Sequence, residues 1–457
     1  MRDKSAFYGT VTCRMRVDRV PRGCRALEAF RFPLLVATLA VLAAAMTSAF
    51  AVPALAASGG AGTGPSGGSP VKVKPKPKPR HRRQAHNHAA SASNALANRG
   101  MWIWVLSSSD GGNLSNLGAG ARRYGITTVM IKSGDGTGTW SQFNPSMVAA
   151  LHRSGLRVCA WQYVYGDHPI TEAYVGAAAV HDGADCLIID AEAQYEGKYV
   201  AAQAYMTRLR KLVGGSYPIA LAGFPYVDYH PAFPYSVFLG PGGAQYNTPQ
   251  MYWADIGTTV DAVYAHTFSF NRIYRRSIYP LGQVFNNPRA GQIKRFRQMS
   301  RSYGSDNVSW WDWQEATAGD WLALSQPIGA LRGFAPSATY ATLGIHARGD
   351  VVVWAQEHLA SAGQRLAIDG SFGPATFKAV ESFQARHGLP VDGLVGQATW
   401  SALLRYSPIR VRWVHRGRRI VALSRGATQT LPVPQSARLH AKRNEIPGSG
   451  GAGWPKR

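Results

Sequence analysis

The sequence predicts an α/β fold, a (β/α)8 barrel of the TIM type, followed by a small all-α module. Two observations predict it. Between Met101 and about Ser325, eight apolar strand-like runs alternate with amphipathic stretches, and about 225 residues suit eight strand–helix units. Further on, Asp369-Gly370-Ser371-Phe372-Gly373-Pro374-Ala375-Thr376-Phe377 returns 23 residues later as Asp392-Gly393-Leu394-Val395-Gly396-Gln397-Ala398-Thr399-Trp400. A repeat of this kind marks one structural unit used twice.

In order, strands are expected at Trp102–Leu106, Thr128–Lys132, Arg157–Tyr163, Cys186–Glu192, Ile219–Phe224, Pro249–Trp253, Tyr279–Phe285 and Val308–Trp313. Helical spacing of apolar residues fills most gaps, at Met147–Arg153, Glu172–His181, Tyr199–Val213, Val260–Phe268 and Gln292–Tyr303. The proline- and glycine-rich gap between the fifth and sixth strands has room for a short helix only. A doubly wound open sheet is the alternative, because alternation does not prove closure. Residues 100–325 are therefore expected as the barrel, 326–342 as a Pro-bearing linker and 343–406 as the helical module.

The flanks are of another kind. Eight Lys or Arg residues among positions 2–31 precede an apolar run from Pro33 to about Ala45, which ends in Ala54-Leu55-Ala56-Ala57. That order reads as an export signal over 1–57, cleaved near Ala56, with an uncleaved membrane anchor as the competing reading. Residues 58–99 read as a leash, Gly/Ser-rich and then alternating Lys and Pro over 71–79, with Arg80, Arg82 and Arg83 following. Such a segment cannot bury a core. The tail, 407–457, is basic and mostly of disordered composition, apart from a hairpin around His415-Arg416-Gly417-Arg418-Arg419. Much of the formal net charge of +25 lies in these flanks. It suits anionic wall polymers or an anionic membrane face, whereas nucleic acid lacks a reading module here and conflicts with export. The exported part keeps two cysteines, Cys159 and Cys186, and the sequence leaves open whether they pair or stay buried as thiols.

The fourth strand carries the chemistry. Leu187-Ile188-Ile189 is apolar and runs into Asp190-Ala191-Glu192. Residues two apart on a strand share a face, so both carboxylates point to one side at the C-terminal mouth, where barrels of this kind hold their sites. Neighbouring carboxylates with separated proton affinities suit glycoside cleavage, one as acid and the other as base, nucleophile or charge stabiliser. Rings and polar groups expected around them to hold substrate are Lys132, Asp135, Trp161, Tyr163, Tyr165, Tyr226, Asp228, Gln250, Tyr252, Asp312 and Gln314. Sugars offer apolar faces to rings and hydroxyls to amides and carboxylates. About half of the rings are expected to fill the core instead. No metal and no cofactor is expected. The folded part has no Gly-x-Ser-x-Gly elbow, phosphate loop or His-Glu-x-x-His helix.

Two resemblances follow from these motifs. Gly349-Asp350-Val351, Gln356, Leu359, both Asp-Gly-x-x-Gly-x-x-Thr copies, Phe383-Gln384 and Leu403 resemble the peptidoglycan-binding domain of the three-helix repeated type. That implies peptidoglycan as partner and a secreted, wall-associated monomer. The barrel resembles the family 25 glycoside hydrolases, the lysozyme-type muramidases, through Asp190-Ala191-Glu192, Gln250-Met251-Tyr252-Trp253 and Trp313-Gln314. That resemblance implies Glu192 as general acid and Asp190 as its stabilising partner. The muramidases carry an Asp at the end of the first strand, where this chain has Ser107-Ser108-Ser109. A barrel that only grips glycan is therefore the alternative.

Overall fold

The computed structural model describes residues 96–424, apart from 306, 338 and 418. The expected signal, nearly all of the leash and the tail beyond the hairpin lie outside them. No helix among the described residues is long and apolar enough to cross a membrane.

Strands and helices alternate as β1 (Arg99–Ile103), α1 (Leu114–Tyr124), β2 (Thr128–Asp135), α2 (Pro145–Arg153), β3 (Arg157–Val164), α3 (Pro169–His181), β4 (Cys186–Ala191), α4 (Tyr199–Val213), β5 (Ile219–Ala222), α5 (Tyr235–Phe238), β6 (Tyr246–Asn247) and α6 (Val260–Asn271). The seventh stave, β7, comes in two pieces, Ser277–Ile278 and Leu281–Gln283, and is followed by α7 (Ala290–Ser302), β8 (Val308–Trp311) and α8 (Ala318–Ser325). Each barrel strand runs parallel to its neighbours. The first piece of β7 pairs with β6 and the second with β8, while β8 pairs with β1. The hydrogen-bonded path thus begins and ends on one stave, and the barrel is closed. Pro280, which has no N–H to give, lies between the two pieces; its carbonyl still accepts from Ser309.

The sixth strand is shorter and earlier than the sequence suggests. Pro249 interrupts the ladder there, and only Gln250 resumes it, in a bridge to Leu281. The first strand also begins earlier, with Arg99 paired to Val308.

Alternation along the strands sorts side chains into two layers. Trp102, Met130, Cys159, Trp161, Cys186, Ile188, Ala220, Ala222, Leu281 and Trp311 fill the lumen. Ile103, Val129, Ile131, Val158, Leu187, Ile189 and Leu221 face the helices. Cys159 and Cys186 are register partners on β3 and β4, 4.6 Å apart at Cα, and are joined as a disulfide. The question left open by the sequence is thereby decided, since facing positions on adjacent strands bring two thiols within bonding reach. Local signals set the helix ends. Asn113 caps α1 by accepting from the N–H groups of Ser115 and Asn116, and Gly125 ends it at φ 68°, a left-handed turn that costs glycine nothing.

The module holds α9 (Asp350–Ser361), α10 (Pro374–Arg386) and α11 (Gln397–Leu403). Its repeat is a repeated hydrogen-bond device. Gln356 Oε1 accepts from the N–H groups of Asp369 and Gly370, and its Nε2 donates to Asp369 Oδ1, the Ser371 carbonyl and Thr376 Oγ1. Gln384 makes the same five bonds with Asp392, Gly393, Leu394 and Thr399. Gly370 and Gly393 sit at φ 68° and 67°. The motif's Gln, Asp, Gly and Thr therefore build turns, and within each copy they are structural.

The module is docked on the barrel. The Asp350 carboxylate is fully buried and accepts from Tyr199 Oη, Ser236 N, Ser236 Oγ and Tyr274 Oη, all from the barrel. Trp354 Nε1 donates to the Ile273 carbonyl, and its ring packs on Tyr274. The stretch 326–342, expected as a linker, is bound to α6 and the turn after it, through Ala341 N to the Ser269 carbonyl and Arg272 to the Ser337 carbonyl. Finally, β9 (Val411–Arg416) and β10 (Arg419–Ser424) form the expected hairpin, whose Trp413 lies on Tyr199 of α4.

Candidate active site

Asp190 sits at the end of β4 with lumen parity, and Glu192 follows it by two. Asp190 is 6% exposed, while Glu192 is half-buried nearer the rim. The amide of Gln250 joins them, since its Nε2 lies 3.0 Å from Asp190 Oδ1 and 3.0 Å from Glu192 Oε1. The two accepting oxygens are thus no more than about 6 Å apart. Burial raises the proton affinity of both carboxyls, and for Asp190 the charge of Glu192 adds to it. Lys132 pulls Asp190 back down; Gln250, His230 and Tyr163 do so for Glu192. Two acids this close in a desolvated site titrate as a pair rather than one by one.

The neighbouring strands complete the mouth. Asp135, Tyr163 and Asp190 stand in one row across β2, β3 and β4. Asp135 accepts from Lys132 Nζ at 2.7 Å and from Tyr165 Oη at 2.8 Å, while Tyr163 donates to Gln194 at 2.7 Å. The rings of Tyr163 and Tyr165 meet edge to face at 5.0 Å. Tyr252, half-buried, packs against Phe285 and feels the charges of Asp190 and Glu192. Asp312 is 1% exposed, and burial pushes its carboxyl up to about 8.

Lys132, Asp135, Tyr163, Tyr165, Gln250 and Tyr252 are therefore gathered around the pair. Others have different work. Trp161 is buried in the lumen floor, packed against Trp102 and Trp311, with its Nε1 donating to the Ile103 carbonyl. Tyr226 stacks on His266 of α6, and Asp228 pairs with the same imidazole at 2.7 Å. Gln314 accepts from the Val105 N–H and so ties the end of β8 to that of β1. Trp253 and Trp313 turn outward onto Phe296 and Trp321.

Sequence reasoning missed three residues here. Trp104 and Trp140 enclose the Lys132 ammonium together with Trp161. Gln142 donates to the carbonyls of Trp104 and Lys132 and accepts from Leu106 N–H, locking the ends of β1 and β2. Trp140 and Gln142 lie in a loop without periodicity, so no sequence signal pointed to them. Among the described residues, no group of His, Cys, Asp and Glu is arranged to hold a metal ion.

Comparison with known proteins finds matches to parts of the chain. The zinc D-Ala-D-Ala carboxypeptidase of Streptomyces albus G is 40% identical over 85 residues, 18% of this chain and 32% of its own. The chain thus spans about a third of that relative's length. The structure of a Burkholderia AP3 phage endolysin matches 14% of this chain and 25% of its own at 50% identity, with a TM-score of 0.14. That of the Bacillus cereus spore cortex-lytic enzyme SleL matches 52% of this chain and 75% of its own at 9% identity, with a TM-score of 0.38. The barrel assignment stands on the strand order itself. Residues 348–403 match the family described as a putative peptidoglycan binding domain, and the chain carries that domain.

Proposed function

We propose that the protein is a wall-associated glycoside hydrolase that cleaves glycan strands of peptidoglycan and is held there by its peptidoglycan-binding domain. The observation that carries the proposal is the Asp190–Gln250–Glu192 bridge at the mouth of the barrel, in a chain whose other domain addresses peptidoglycan. Glu192, nearer the rim, hands the pair's proton to the glycosidic oxygen, and Asp190, deeper and then ionised, stabilises the positive charge that develops on the sugar. Tyr163, Tyr165 and Tyr252 offer ring faces, and Asp135 and Gln250 offer polar contacts to hydroxyl and acetamido groups. An oxygen separation of at most about 6 Å leaves little room for a water between the carboxyls, so retention is expected: Asp190 takes the anomeric carbon as the glycosidic bond breaks, and a water deprotonated by Glu192 then displaces it. The finer, muramidase-like reading of the bond rests on the resemblance of Asp190-Ala191-Glu192 to family 25. Export through residues 1–57, and adhesion to anionic polymers through the basic leash and tail, belong to the same proposal.

The chain's first strand brings no carboxylate, since β1 ends at Ile103 and runs on into Trp104-Val105-Leu106. This favours, as a second reading, a barrel that grips glycan without cutting it. Purified protein incubated with insoluble peptidoglycan separates the two. Release of reducing ends supports the hydrolase, whereas tight binding with no release and no loss of turbidity supports the binder.

A further inference from the structure

Lys132 is 5% exposed, and its ammonium lies 4.4, 4.9 and 5.7 Å from the ring centroids of Trp140, Trp161 and Trp104. Its one anionic hydrogen-bond partner among the described residues is Asp135, at 2.7 Å. A cation taken out of water persists when rings and a carboxylate replace its hydration. The register shows where that charge acts. Lys132 pairs with Trp161, which pairs with Ile188, one lumen layer below the row of Asp135, Tyr163 and Asp190. At about 4.8 Å per strand, β2 and β4 lie roughly 10 Å apart at this level, within reach of their long lumen-facing side chains.

The groups facing Asp190 are therefore Lys132 and Asp135 from β2, Tyr163 from β3, Glu192 on its own chain segment, and Gln250 and Tyr252 from the segment after β6. Its partner in register on β5, Ala222, carries no charge. Glu192 meets a different set, with the His230 imidazole, itself held by Glu196 at 2.8 Å, in range rather than Lys132. The two carboxyls are thus unlike in their surroundings although they are two residues apart.

We propose that Lys132 is a positioning residue, which biases the proton shared by Asp190 and Glu192 toward Glu192, the group placed to deliver it. The inference rests on the reading of this pair as acid and charge stabiliser. Burial and Glu192 raise the proton affinity of Asp190, Lys132 opposes them, and the charge of Asp135 raises it a little further. The tryptophans keep the ammonium dry, so its field is poorly screened by salt.

The test reads the carboxyls directly. Carbon-13 carboxyl titrations of the full chain, assigned with Asp190→Asn and Glu192→Gln, give the Asp190 midpoint in each variant. Lys132→Met and Lys132→Gln raise it by about one pH unit or more, Lys132→Arg keeps it within about 0.3 unit, and Asp135→Asn lowers it. In an active protein the acid limb of kcat/KM moves with the midpoint. A folded neutral variant whose Asp190 midpoint stays within about 0.3 unit of wild type overturns the proposal. Should both neutral variants fail to fold, Asp135→Asn decides, and a midpoint that stays or rises overturns it. Wild-type protein that never releases reducing ends overturns the hydrolase reading instead, and leaves the titration to judge Lys132 by itself.

Discussion

Two buried carboxylate clusters in this protein differ in how completely they are satisfied. Asp350, in the domain interface, receives four hydrogen bonds from three barrel residues, so both of its oxygens are occupied. Asp190 and Glu192 share the Gln250 amide, Tyr163 assists Glu192, and the charge of Glu192 bears on Asp190. A buried polar group with a full set of partners rigidifies a structure. A close pair with raised proton affinity is of the kind that can exchange a proton with a bound substrate. Burial alone thus does not set the two clusters apart; the number of donors each carboxylate receives does.

Substitutions at the two clusters should therefore fail in opposite ways. The largest effect is expected at Glu192. Glu192→Gln keeps the contact to Gln250 but has no proton to give, and release of reducing ends should fall by roughly 100- to 10,000-fold. Its unfolding midpoint in denaturant should stay near wild type. Wild-type activity in this variant would remove Glu192 from the acid role.

Asp350→Ala should do the reverse. It leaves the hydroxyls of Tyr199 and Tyr274 and the N–H of Ser236 without acceptors, at a cost of about 3 kcal/mol or more. Denaturant unfolding would show the loss, and little change would mean that water replaces the carboxylate. Removing 343–404 outright strips the same partners, so retention on peptidoglycan is better tested by exchanging exposed residues of the module.

The pH dependence distinguishes the clusters further. Burial raises the Asp350 carboxyl to about 6 despite its four donors. The folded protein then holds that proton more tightly than the unfolded chain does. Its contribution to stability is fully present below about pH 4, declines as pH rises to about 6 and is flat above, a loss of roughly 3 kcal/mol. Asp350→Asn should abolish this component. If stability between pH 4 and 6 has the same slope in both proteins, the assignment to Asp350 is wrong.

Replacing Cys159 and Cys186 together with serine opens a loop of 27 residues, for which chain entropy predicts a loss of about 3–4 kcal/mol. Because both lie in the lumen floor, below the row of Asp190, activity at low temperature should persist. The smallest effect is expected from deleting 71–83. It should weaken wall retention in low salt and have little influence at high salt, where screening already removes its contribution. Equal loss at both salts would mean that the segment recognises something other than charge.

Much of the barrel was legible because its strands are apolar on both faces and its helices amphipathic, patterns that sequence preserves. Seven of the expected strands overlap ladders of the structure, and the sixth meets it only at the Gln250 bridge, because Pro249 breaks the pattern. The position of the pair at the end of β4 was legible for a related reason, since the apolar run fixes the parity of the two acids that end it. The Gln250 bridge was not, because it joins residues about 60 apart whose meeting depends on barrel closure.

By itself, then, the sequence determined the order of elements, the repeated Gln–Asp–Gly–Thr turns and the side of β4 on which Asp190 and Glu192 point. Each depends on neighbours within a few residues along the chain, through strand parity, helical spacing or turn chemistry. Tertiary structure alone decided that Cys159 meets Cys186, that three tryptophans enclose Lys132, that Tyr226 and Asp228 are engaged by His266, and that Asp350 fastens the binding domain to the barrel. These contacts bridge 27 or more residues of sequence, or join loops that carry no periodicity. Only the curvature of a closed sheet, and the packing of helices around it, brings such side chains within reach.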